Sequence, residues 1–242
     1  MPLGRRRAAG LQRRCPPKSL VFSGNFPIGC GSAAPFWAAE SPGHIWSKTL
    51  KLTIDQLDQL RDCLAEGARC ASESFVAAGL PATQITLRRI GVCALAEFSE
   101  GAVCNDGGLI AGAVLRFGGM LSGTALLSLE PEDALAWTQS AGPGRELLST
   151  FVALGSEALS AIVRSATERW QIETHVGEGR LVEDSVVAIM LDTHAPSDTA
   201  IVSAGLELRA GDVHVPAYFY LMLEPKPLEY VIGARTQTHA QA

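Results

Sequence analysis

The sequence predicts an α+β domain of two related halves, with an antiparallel sheet packed under two long surface helices. Three observations predict it. Two long amphipathic segments run from Thr53 to Phe75 and from Glu146 to about Arg169. Each is followed by strand-like segments with glycine-rich turns between them. The tag L-x-L-E-P then closes both halves, at Leu127–Pro131 and Leu221–Pro225, an offset of 94 residues. Units that cannot bury an apolar face alone bury it against one another, so two such halves build one shared core.

Residues 1–48 carry Arg5-Arg6-Arg7, Arg13-Arg14 and frequent proline and glycine, with neither a helical nor a strand period. They are expected to be a disordered tail or an artefact of upstream translation. A secretory reading would need Leu20–Phe36 as its apolar stretch, and Gly24, Asn25, Pro27, Gly29 and Gly31 break it. The expected domain covers 50–234, with halves at about 53–140 and 145–234 and a tail at 235–242.

Thr53 and Gln56 have capping-box spacing, which satisfies free N–H groups at a helix start. Ile54, Leu57, Leu60, Leu64, Ala68, Ala71 and Phe75 then recur every three or four residues, making one buried stripe. Gly79 and Pro81 end the helix. Strands are expected at Gln84–Phe98, Leu109–Phe117 and Thr124–Leu129, with Gly118-Gly119 and Gly123 as turn signals. A short helix from Glu130 to about Gln139 precedes the break at Gly142-Pro143-Gly144. The second long helix carries its stripe at Leu148, Phe151, Gly155, Ala158, Leu159, Ile162 and Ala166. Strands are expected after it around Gln171–Val176, Ser185–Leu191, Ala200–Leu208 and Val213–Leu223.

The 242 residues are 47% hydrophobic and 19% charged, with a net charge of −5. That acidic balance argues against nucleic acid, whose phosphates need a basic stripe. No apolar run approaches the ~18–20 residues that cross a bilayer, so no membrane partner is expected. The six cysteines form no C-x-x-C pair, which suits free thiols in a reducing cytoplasm.

The two long helices superpose at an offset of 91 residues, pairing Leu60 with Phe151, Leu64 with Gly155 and Ala71 with Ile162. With Leu64 and Gly155 as buried centres, Asp58, Asp62, Ala65, Arg69 and Glu73 point outward on the first helix. On the second, Ser149, Ala153, Ser156, Ser160 and Arg164 do. Ala65 and Ser156 are equivalent, as are Asp62 and Ala153.

These residues carry a resemblance to the CheC/CheX/FliY phosphatases of bacterial chemotaxis. The first helix of that family reads D-A-L-x-E-I-G-N-I-G-A-G-x-A-A and the second x-A-L-x-E-V-G-N-I. Here the first gives Asp58-Gln-Leu60-Arg-Asp62-Cys-Leu-Ala65-Glu-Gly67-Ala68-Arg-Cys-Ala71, and the second Phe151-Val-Ala153-Leu-Gly155-Ser156. Gly67-Ala68, Ala71 and Gly155 agree with the pattern over a likeness spanning about residues 50–234.

The resemblance implies a pseudo-twofold CheC-like fold and activity on a phosphorylated CheY-type receiver. In the family's E-x-x-N motif, Glu pairs with a receiver lysine and Asn orients water toward an aspartyl-phosphate. An amide suits that task because it donates and accepts in one plane. Positioning is most of the work in a loose phosphoryl-transfer transition state. The receiver supplies the Mg²⁺, so no cofactor of the chain's own is implied. Here Asp62 and Ala153 stand for Glu, while Ala65 and Ser156 stand for Asn. Asp62 and Ser156 are therefore the catalytic candidates. Asp58, Asp62, Ala65, Arg69, Ala153, Ser156 and Ser160 form the candidate binding surface.

Two functions remain open on the sequence: a weak aspartyl-phosphate phosphatase, and a non-catalytic binding module similar in fold to the FliM middle domain. A CheD-like deamidase is a further implied partner, with no surface identified for it. Asp192-x-His194 and Asp212-x-His214 could bear on a metal, but four ligands would have to converge, and none is expected. Neither nucleotide-binding glycine loops nor G-x-S-x-G are present.

Overall fold

The computed structural model describes residues 52–98, 108–140, 146–192 and 199–223. The expected tails at 1–48 and 235–242, the break at Gly142-Pro143-Gly144 and the Glu224-Pro225 tag lie outside the described residues.

Helix α1 spans Ile54–Ala77 and begins at the capping box expected for it. The Gln56 N–H donates to Thr53 Oγ1 at 3.2 Å, and the Thr53 N–H donates to Gln56 Oε1 at 2.8 Å. At its other end the Leu80 N–H donates to the Phe75 carbonyl at 2.8 Å, with Gly79 at φ +68 between them. This left-handed closure satisfies carbonyls that a helix end leaves free. Helix α3, Leu147–Arg169, closes the same way, through Ile172 N–H to Thr167 carbonyl at 2.9 Å. There the left-handed residue is Gln171, at φ 56.

Between the long helices lie β1 (Gln84–Ala94), β2 (Ile110–Gly119), β3 (Gly123–Leu129) and helix α2 (Pro131–Ser140). After α3 come β4 (Thr174–Asp184), helix α4 (Val186–Asp192), β5 (Ala200–Ala210) and β6 (Val213–Leu223). The six strands form one antiparallel sheet in the order β1-β5-β6-β3-β2-β4. Exchanging β1 with β4, β2 with β5 and β3 with β6 reverses that order and reproduces it. The central pair obeys the same symmetry. Leu126 of β3 and Tyr220 of β6, which are 94 residues apart, lie directly across from each other.

Helices α1 and α3 lie side by side over one face of the sheet. They pack tightly at Gly67, where an added Cβ would stand 3.1 Å from the Cα of Ile162. The expected stripes are buried at Leu60, Leu64, Ala68, Ala71 and Phe75 on α1 and at Phe151, Ala158, Leu159, Ile162 and Ala166 on α3. Their first members, Ile54 and Leu148, are exposed in the opening turn of each helix. Helix α2 inserts Trp137 into the same core, edge-on to Phe75 and Phe151. Its indole N–H donates to Thr83 Oγ1 at 3.2 Å. α3 is long and apolar enough to cross a bilayer by length and composition, but 50% of that apolar window is buried inside the fold.

Three strand expectations change. Ser185–Leu191 is helical, not extended: α4 begins as Ser185 Oγ accepts the Ala188 N–H at 3.2 Å. A short unbroken apolar run fits a buried strand or a buried helix equally, and here Ile189 and Met190 pack on the sheet's second face. β1 stops at Ala94, and residues 95–98 make one helical turn that places Leu95 and Phe98 in that second cluster. β4 starts and ends later than expected and runs through Gly177 and Gly179, residues that read locally as turn signals. Pairing along β2, with a bulge opposite Arg116, supplies its hydrogen bonds instead.

Candidate functional site

The first motif lies open on α1. Asp58, Asp62, Ala65, Arg69 and Glu73 are all exposed, as their spacing predicts. The Arg69 guanidinium donates to Glu66 at 2.6 and 2.9 Å and also pairs with Glu73. Those bonds hold the Glu66 carboxyl below its ordinary range and raise the guanidinium further above its own. Arg69 is thus engaged within its own helix. Asp58 and Asp62 make no ion pair among the described residues, so their charge faces outward.

Ala65 borders a shallow groove of about 370 Å³ between α1 and β1, whose other walls include Arg69, Ser72, Glu73 and Gln84–Leu87. The strand is pinned there by Ser72, whose Oγ accepts the Ile85 N–H at 2.8 Å and donates to the Ala68 carbonyl at 2.9 Å. Ser72 was not singled out from the sequence. A serine facing a strand 13 residues further on leaves no local signal.

The second motif is placed differently. Ala153 is exposed on α3, and Ser160 is half-buried. Ser156 departs from its expected outward position: its Oγ is buried and has no hydrogen-bond partner among the described residues. β4 lies over it. An added Cβ on Gly179 would stand 2.7 Å from Ser156 Cβ and closer still to its hydroxyl. The helical period predicts Ser156 outward because it carries no information about which distant strand packs against that part of the helix.

The remaining candidates resolve into ordinary contacts. His214 Nδ1 lies 3.4 Å from Glu207, which also pairs with Arg88, so the Asp212-x-His214 imidazole turns toward a neighbouring strand. His194 lies outside the described residues. Among the described residues no three His, Cys, Asp or Glu side chains gather as metal ligands. Cys63, Cys70 and Cys93 form no disulfide among the described residues, and burial, with Glu97 nearby, pushes the Cys93 thiol up to about 12.

Chemically, the α1 face offers carboxylates that can meet a cation, and a methyl group where a water-orienting amide would stand. The α3 face offers a hydroxyl that solvent does not reach. Two long helices across a six-stranded antiparallel sheet of palindromic order, with these motif positions on the helices, define a protein of the CheC/CheX/FliY fold. No family model matches the sequence, and no curated protein matches it. Among solved structures the chain is similar to FliY of Thermotoga maritima, at 11% identity and a TM-score of 0.54, covering 76% of this chain and 99% of that one. It is similar also to the FliM middle domain of H. pylori, at 16% identity and a TM-score of 0.51, covering 75% and 99%. The FliM of an H. pylori FliM–SpeE complex gives 16% identity and a TM-score of 0.51, covering 77% and 98%.

Proposed function

We propose that this chain is a cytoplasmic protein-binding module of a chemotaxis or flagellar-switch circuit. It docks a phosphorylated CheY-type receiver on the outward face of α1 and contributes little to hydrolysis of the aspartyl-phosphate. The observation that carries this reading is the pair Asp62 and Ala65. An exposed carboxylate remains to meet a cation, while the next turn offers only a methyl group. Any Mg²⁺ at the phosphoryl group would come with the receiver.

The alternative, a weak phosphatase working through Asp62 and Ser156, would need the Ser156 hydroxyl to reach an external water. Its burial weighs against that role. The test is a titration with the receiver from the same organism, with and without beryllofluoride, alongside the decay of its phosphorylated form. Saturable binding that favours the activated receiver, with decay close to the spontaneous rate, is expected. Absence of binding would overturn the docking reading, and strong acceleration of decay would overturn the non-catalytic one.

A further inference from the structure

The two pseudo-equivalent motif positions meet their edge strands differently. Ala65 and Ser156 correspond between the helices at the 91-residue offset, and β1 and β4 correspond as the outer strands. On the α1 side Ala65 is exposed beside an open groove. On the α3 side β4 closes down until no Cβ fits between Gly179 and Ser156.

Both edge strands contain a bulge, β1 between Leu87 and Arg89 and β4 opposite Arg116. Aligned on those bulges, β4 has Gly179 where β1 has Ile90. Ile90 packs a side chain against the main core, between its strand and the helices. Gly179 has nothing to place there, and Ser156 fills the space. The copy beside Ile90 is open at Ala65, and in the copy beside Gly179 the Ser156 hydroxyl is covered. Burying a hydroxyl without a partner is unfavourable, so the contact is held by the surrounding pairing of β4 on β2 rather than by Ser156 itself.

We propose that the chain is single-faced: one receiver docks per chain, on α1, and β4 closes the α3 copy of the motif to any partner. This rests on the receiver-docking reading above and adds its stoichiometry. The test is calorimetric titration of the beryllofluoride-activated receiver into the full chain and into its Ala65→Arg variant. One site per chain is expected, with loss of all binding in Ala65→Arg, whose fold is checked by circular dichroism.

Two sites per chain, or a residual site in Ala65→Arg, would overturn single-faced binding while leaving receiver docking intact. No binding to the unmodified chain would overturn docking itself, and this inference with it. A readout without the partner examines the closure directly. Ala65→Cys should react readily with a maleimide, read peptide by peptide, while Ser156→Cys reacts only as the chain unfolds. Rapid labelling of folded Ser156→Cys would overturn the seal.

Discussion

Gly179 of β4 lies against Ser156 of α3 with no room between them for a side chain. Gly179→Ala should therefore destabilise the fold by about 1–3 kcal/mol, the usual cost of forcing extra volume into a packed site. Ser156→Gly in the same chain should recover most of that loss. Ser156→Ala alone removes a buried hydroxyl that has no partner, and should be neutral or stabilising. Urea midpoints of the unmodified chain, Gly179→Ala, Ser156→Gly and the Gly179→Ala/Ser156→Gly double variant check the cycle. Additive effects in the double variant would show that the two residues do not share the strain.

The second expectation concerns Trp137, which is fully buried and donates its indole N–H to Thr83. Thr83→Val keeps the shape but leaves that N–H without an acceptor, at a cost of about 1–3 kcal/mol. Thermal unfolding measures it. An unchanged midpoint would mean that the indole N–H finds another acceptor.

The third follows from the two helix ends. Gly79 and Gln171 hold equivalent left-handed positions after α1 and α3, and only glycine takes that conformation without steric cost. Gln171→Gly should stabilise the chain by about 1 kcal/mol or less, since its gain is partly offset by a freer unfolded state. Gly79→Gln should destabilise it. Opposite signs in chemical denaturation are the expected result, and like signs would contradict the shared geometry.

The fourth concerns the open motif. Asp62→Glu with Ala65→Asn rebuilds E-x-x-N on exposed positions of α1, where neither change disturbs the core. Removing a transition-state hydrogen-bond donor commonly costs two to three decades in rate, roughly 2.7–4 kcal/mol. The double variant should gain receiver dephosphorylation over the unmodified chain, and Ala65→Asn alone should gain less. Phosphate release from the phosphorylated receiver reports it. A double variant that binds but stays inactive would show that Asn at position 65 is not held where the attacking water sits.

The opening of α1 was legible down to single atoms. A threonine and a glutamine three residues apart predicted two hydrogen bonds, because both partners belong to one helical turn. The buried stripes of both long helices were legible for the same reason: a 3.6-residue period writes the buried side into the sequence. The 94-residue tag offset also carried through to the pairing of Leu126 with Tyr220, since a repeated unit brings its strand register with it.

The covering of Ser156 was not legible. Val186–Asp192 became a helix because its apolar run packs on the sheet's second face, and β4 continued past the bulge at Gly177 because β2 supplied pairing on either side, at Val176 and Gly179. Both outcomes depend on partners distant in the chain. Local sequence therefore determined the two long helices, the capping box of α1 and the motif positions on the helices. Tertiary structure alone decided that one motif position stays open and the other is sealed. A side chain's direction follows from its own helix, whereas its exposure depends on how closely another strand can approach, and at Gly179 that strand carries no side chain to hold it away.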